Sequence, residues 1–166
     1  MYLTIKACYD RKLPEVVKRL TAYQLPEPIH LRIVSPLISD FTLDRKSFSE
    51  RLLMLRFYKN ATVSVLVDRK WVSNFISKNG EKPEIIAQFE EAGVNVLTVR
   101  NLHAKIALLK AATEKALLVG SSNFTKTAMY LSHEAGIYML NDGSGAFEEL
   151  DYYVTKLFKS AQPIVE

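Results

Sequence analysis

The chain has 166 residues, 48% hydrophobic and 24% charged, with 22 Lys and Arg against 18 Asp and Glu for a formal net charge of +4 and a pI near 9.1. This composition is that of an ordinary globular protein and excludes a disordered or low-complexity chain, and the length suits one well-buried domain over residues 1–166. A lone Cys8 excludes an internal disulfide, and no run approaches the roughly eighteen uncharged apolar residues of a membrane span.

In chain order, residues 3–7 read as a short strand and 14–23 as a helix. The start of the chain, Met1 to Lys6, carries neither a basic nor an apolar leader region, so the expected location is cytoplasmic, with no stable membrane association. A strand at 29–34 ends at Ser35-Pro36. Ser47, followed three positions later by Glu50, forms a capping box that opens a helix to about Tyr58. The β-branched run 62–67 is a strand ended by Asp68. Pro83 suits the first turn of a helix to about Ala92, Gly93 suits its cap, and 94–99 returns as a strand. Strands follow at 104–109 and 116–119, joined by a hairpin turn around 111–115. A helical stretch through Ala128, a strand at 136–140 and a closing helix at 144–160 complete the chain. Strands alternating with helices of this length predict an α/β fold: a mixed, mostly parallel sheet with helices on both faces.

Chemistry concentrates between residues 103 and 123. Strand side chains two apart share a face, so His103 stands beside Lys105, a nucleophile-competent imidazole next to a fixed cation. Gly120, Ser121 and Ser122 are small enough for backbone amides to approach an oxyanion, and the serines and Asn123 add neutral donors that need no metal. Together these suit a phosphodiester. Basic residues cluster at Arg11-Lys12, Lys18-Arg19, Arg45-Lys46, Arg69-Lys70 and Lys126, and the helix after Ser47 is expected to expose Arg51 and Arg56 along a groove for an anionic partner. His30 and His133 read as surface or turn histidines.

The His103-x-Lys105 and Gly120-Ser121-Ser122-Asn123 phrases resemble the phospholipase D superfamily, whose motif runs His-x-Lys, four residues, Asp, six residues, then Gly-Ser-x-x-Asn or Gly-Ser-x-Asn. The likeness extends from the strand and serine-proline turn at residues 30–39 to Glu134, which opens the strand after Asn123. It departs at Lys110, where the family has Asp; strand parity points that position away from His103. The resemblance implies a nuclease-like phosphodiesterase without cofactor or metal. Its catalytic residues would be His103, Lys105, Asn123 and Glu134, and its phosphate-binding residues Lys105, Gly120, Ser121, Ser122 and Asn123. Glu134 would orient His103. The family's reaction uses two histidines, so a chain with one motif implies a homodimer that shares one site. The expected partner is DNA or RNA. The alternatives are a non-catalytic nucleic-acid-binding module with a degenerate site, and a lipid phosphodiesterase or phosphatidyltransferase.

Overall fold

A computed structural model describes residues 4–10, 12–22, 24–140 and 145–164. The expected starts of the first strand at Leu3 and of the last helix at Ser144, and the expected end of the first helix at Tyr23, lie outside the described residues. Ten strands and six helices are described: β1 (Thr4–Tyr9), α1 (Lys12–Leu20), β2 (His30–Val34), β3 (Thr42–Leu43), β4 (Lys46–Ser47), α2 (Phe48–Tyr58), β5 (Thr62–Asp68), α3 (Arg69–Asn79), α4 (Glu84–Glu91), β6 (Asn95–Val99), β7 (Ile106–Lys110), β8 (Lys115–Gly120), α5 (Lys126–Tyr130), β9 (Ala135–Leu140), α6 (Ala146–Ser160) and β10 (Gln162–Pro163). Among the described residues no helix is long and apolar enough to cross a membrane.

Eight strands form one sheet in the order β1-β9-β8-β7-β2-β5-β6-β10, and β3 pairs with β4 separately. The sheet is mixed, with helices on both faces, as expected; the expectation of mostly parallel pairing fails. Only β2–β5 and β5–β6 are parallel, because only these pairs are joined by helical crossovers. A four-residue turn folds β8 back on β7, the segment carrying α5 returns the chain on the same end of the sheet so that β9 lies antiparallel to β8, and β1 adds antiparallel to β9. The central β5, apolar from Val63 to Val67 except for Ser64, is buried on both sides, as a strand covered on two faces requires.

Parity divides the interior into two cores. Leu31, Ile33, Val63, Val65, Ala107, Leu109 and Leu118 face α1, α2 and α4, where Phe48 stacks on Phe41 at 4.8 Å and on Phe124 at 5.9 Å. Val34, Leu66, Ile106, Leu108 and Leu117 face the other way, onto Phe147 and Val154 of α6. Ser47 and Glu50 make the predicted capping box: the Ser47 hydroxyl accepts from the Glu50 amide and the Glu50 carboxylate from the Ser47 amide. The expected basic groove on α2 does not form. Arg51 is buried and donates to the Leu43 carbonyl at 3.1 Å, while Arg56 is held by the Gly93 carbonyl and Asn60.

Candidate active site

His103 and Lys105 lie in the extended segment that leads into β7, just before its first paired residue. Asn101 turns the chain there with a positive φ of 57°, and the buried Leu102 side chain anchors the turn in the α6-side core. The Leu102 amide donates to Asp68 Oδ2 at 2.9 Å. The His103 ring is exposed and Lys105 half-buried. The Lys105 ammonium donates to the His103 carbonyl at 2.9 Å and sits 3.3 Å from His103 Nδ1. An ammonium has no lone pair to offer, so Nδ1 is the acceptor and the ring proton of this tautomer is on Nε2.

The Gly-Ser-Ser-Asn turn begins beside Lys105, because the Gly120 amide donates to the Lys105 carbonyl at 3.3 Å. Nine residues separate Lys110 from Gly120, where the family phrase has six. The hairpin turn 111–114 and β8 up to Val119 fill that interval. Glycine is required at its end. A Cβ on Gly120 would stand 2.5 Å from the Ala135 carbonyl oxygen and 2.8 Å from Gly136 Cα, its paired residue on β9. This close pairing corrects one expectation: the amides of Gly120 and Ser121 both serve the sheet, the latter donating to Ala135 O at 3.0 Å, and neither points free toward an oxyanion.

The four-residue phrase is otherwise divided in its roles. The Ser121 hydroxyl donates to the Glu134 carboxylate and accepts from the Ala135 amide at 3.2 Å. Ser122 is buried and donates to the Asn123 carbonyl at 3.0 Å. Asn123 reaches a groove, with its Oδ1 buried and without a hydrogen-bond partner. Glu134 lines the same groove and, among the described residues, makes no hydrogen bond to His103. The turn is sutured to the loop after β2. The buried Ser35 hydroxyl accepts from the Phe124 amide at 3.0 Å and donates to Leu37 O at 2.5 Å, and Ser39 Oγ accepts from the Lys126 amide at 3.0 Å. Thr125 then caps α5, its hydroxyl accepting from the Ala128 amide.

Position 110 falls where parity puts it. Lys110 ends β7 on the α6 side, paired with Lys115 and His30, and shares a cleft with Arg32, Asp151 and Thr155. His30 is exposed at the start of β2, and His133 is exposed with Nδ1 3.6 Å from Asp10. Among the described residues no three His, Cys, Asp or Glu side chains gather as a metal-ligand set.

Sequence reasoning missed Asp68 as more than a strand end. Its Oδ1 accepts from the Trp71 amide at 3.1 Å, capping α3, while its Oδ2 holds Leu102. The signal was present: an Asp after an apolar strand, three residues before an aromatic, is an N-cap pattern, and Gly80, in the left-handed conformation, closes that helix. Gly136 had no sequence signal beyond its residue type, and Ser35 and Ser39 were legible only as members of the serine-proline turn, not as bridges to the Asn123 turn.

The family described as "Cardiolipin synthase, PLD-like domain" matches residues 30–160. Among solved structures, the fold is similar to the phospholipase D family member Nuc from Salmonella typhimurium, with TM-score 0.69 and 16% identity over 99% of this chain and 100% of that one. It is also similar to NucT from Helicobacter pylori, with TM-score 0.67 and 14% identity over 98% and 100%. Phosphatidylserine synthase from Haemophilus influenzae Rd KW20 aligns with TM-score 0.67 and 14% identity over 98% of this chain, which spans 40% of that protein. At these identities the likeness is one of fold. Curated protein sequences give no match.

Proposed function

The chain belongs to the phospholipase D superfamily through its PLD-like domain, and from that premise we propose that it is a metal-independent phosphodiesterase that cleaves DNA or RNA at a site shared by two copies of the chain. The observation that carries the reading is the junction of His103, Lys105 and the Gly120 turn, where a ring nitrogen, an ammonium and a backbone suture meet within one sheet end. The full-length likeness to the short chain of Nuc supports a protein that supplies one motif per subunit.

In this reading His103 Nε2 attacks phosphorus and a P–N bond forms as the bond to the leaving oxygen breaks. The partner subunit's His103, as imidazolium, gives that oxygen its proton. The same ring, now neutral, takes a proton from water, whose oxygen displaces His103 and releases the phosphate. Lys105 and Asn123, with the hydroxyl of Ser121 or Ser122, bind the nonbridging oxygens, Ser121 being the exposed one of the two. The attacking nitrogen must carry a lone pair, whereas the resting tautomer has its proton there. An incoming phosphate draws the Lys105 ammonium off Nδ1, and Glu134, exchanging the Ser121 hydroxyl for the ring, then receives an Nδ1–H. The amides of Gly120 and Ser121, already bonded within the sheet, serve by fixing the turn.

The test is cleavage of single-stranded DNA, duplex DNA and RNA in EDTA by wild type and by His103→Ala, both first checked for dimerisation. Turnover lost in the variant supports the reading. An intact dimer that binds nucleic acid without cutting any substrate would leave a binding module. The name of the matching family and the likeness to a phosphatidylserine synthase favour one other reading, a phosphatidyltransferase. Turnover of phosphatidyl substrates in vesicles identifies it.

A further inference from the structure

The groove lined by Asn123 and Glu134 extends onto α3 and α4, with a volume of about 750 Å³. That is in the range of clefts that hold a small ligand, roughly 300–1,000 Å³. Its wall is unlike a phosphate track. Trp71 and Phe75 stand on it, four residues apart and so on one face of α3, both half-exposed. Leu37 and Ile85 add apolar surface, and the charged residues that line it are the carboxylates Asp40, Glu84 and Glu134. No lysine or arginine lines it among the described residues. Beyond Asn123, a further phosphodiester would meet the carboxylates of Asp40 and Glu84, whereas an uncharged flat ring would find two aromatic side chains. Neutral hydrogen-bonding groups stand at its edge on Gln88 and Thr125. The cations lie outside its lining: exposed Lys126 falls in sequence between two of its threonines, and Lys105 is held at the Gly120 turn, three residues before Asn123.

The aromatic wall is also placed with respect to the chemistry. One carboxylate, Asp68, accepts from the Trp71 amide and from Leu102, the residue before His103. The start of α3 and the approach to His103 are thereby held to one group.

We propose that this groove is a base-binding subsite in which Trp71 and Phe75 stack an unpaired nucleobase beside the phosphate held at His103 and Lys105, making single-stranded nucleic acid the preferred substrate. The inference rests on the nuclease reading above. A base within a duplex is already stacked and paired and must be extruded before it enters, which costs free energy that a single strand does not require. The sugar-phosphate backbone then follows Lys105 and Lys126 outside the acidic wall.

Trp71 is the sole tryptophan of the chain, so its emission reports directly on stacking. Non-cleaving His103→Ala protein is titrated with a single-stranded oligonucleotide, an abasic strand of equal length and a duplex, with fluorescence anisotropy of labelled strands as the independent measure of binding. The expected result is saturable quenching by the base-bearing strand, absent with the abasic strand, which binds about tenfold more weakly, the order of one stacked base. Phe75→Ala is expected to reduce affinity for the base-bearing strand by about tenfold and leave the abasic strand unaffected; Trp71→Phe retains most of the affinity, which keeps the test independent of any folding defect in Phe75→Ala. Equal binding and equal quenching by abasic and base-bearing strands, or binding of strands with Trp71 emission unmoved, overturns the subsite while the nuclease reading stands. No binding to any nucleic acid, with quenching by phosphatidyl vesicles instead, overturns both.

Discussion

Asp68→Ala removes two acceptors at once, and the two losses are read by different assays. The carboxylate caps α3 through Trp71 and holds the Leu102 amide at 2.9 Å. Loss of an N-cap costs about 0.5–2 kcal/mol and loss of a charge-assisted hydrogen bond about 1.5–3 kcal/mol. Asp68 is half-exposed, which favours the lower part of each range. A total of about 2–3 kcal/mol follows, or a Tm lower by on the order of 5–10 °C for a chain of this size. Urea unfolding at unchanged m-value measures it. Activity is expected to fall further than stability explains, because Leu102 precedes His103 and a displacement of about 1 Å at a reacting group costs on the order of 100-fold. Asp68→Asn separates the two effects. Asn caps a helix as well as Asp, yet its amide presents one acceptor oxygen and cannot serve both N–H groups. It should recover most of the stability and little of the cleavage rate. A cost below about 0.5 kcal/mol for Asp68→Ala, or full activity in the folded variant, would refute the clamp.

Gly120→Ala places a methyl 2.5 Å from the Ala135 carbonyl oxygen, so β8 and β9 must separate; unfolding experiments should show a loss above about 2 kcal/mol, the range of an overpacked core. Ser35→Ala leaves the Phe124 amide without its buried acceptor, a cost of about 1–3 kcal/mol by urea titration, with kcat reduced because the Asn123 turn loosens. Lys110→Asp restores the acid of the family phrase on the α6 face, opposite Lys115; kcat/KM should stay within about threefold of wild type, and stability should rise by a few tenths of a kcal/mol as a like-charge pair is removed. At alkaline pH, burial holds the Cys8 thiol and the Tyr138 phenol above their usual ranges, so the folded chain keeps protons that the unfolded chain has released. Their contribution is whole below the unfolded-state values and declines as pH rises through the folded-state ones. Stability curves with falling slope above the ordinary thiol range, and slow reaction of native Cys8 with a thiol reagent, are the expected readouts.

The sequence disclosed most of the elements because each carries its signal locally. The Ser47 box, the β-branched run of β5 and the left-handed Gly93 after α4 are decided within a few residues of themselves. Strand direction is decided elsewhere. The four-residue turn between β7 and β8 announced one antiparallel pair, but the placing of β1 against β9, across most of the chain length, leaves no local mark. Arg51 misled for a similar reason: its helical position is unremarkable, and only the β3–β4 ribbon, through the Leu43 carbonyl, turns it inward. In the site, His103, Lys105 and Asn123 were legible as chemistry, whereas their supports Asp68, Ser35 and Ser39 are ordinary strand-end and turn residues until the fold brings the partners across.

The same parity that divides the two cores sets where Lys110 stands relative to the candidate site. His103 and Lys105 enter β7 in step with Ala107 and Leu109, toward the α1, α2 and α4 side, while Ile106, Leu108 and Lys110 turn to α6. A carboxylate at position 110 would therefore meet Arg32, Lys115 and the neighbouring His30, a cluster already supplied with acids by Asp151 and Glu148. Such an acid would stand at the base of the hairpin that carries Gly120, on the face away from Ala107 and Leu109. What the proposed reaction requires on the His103 side is different in kind: an acceptor for Nδ1–H, and a second imidazole for the leaving oxygen. In that proposal Glu134, one residue before β9 and on the groove with Asn123, would exchange the Ser121 hydroxyl for the ring and supply the first, and another copy would supply the second. The residue that departs from the family phrase thus belongs to the support of the sheet, and the proposed reaction calls for a second subunit because of its chemistry at phosphorus.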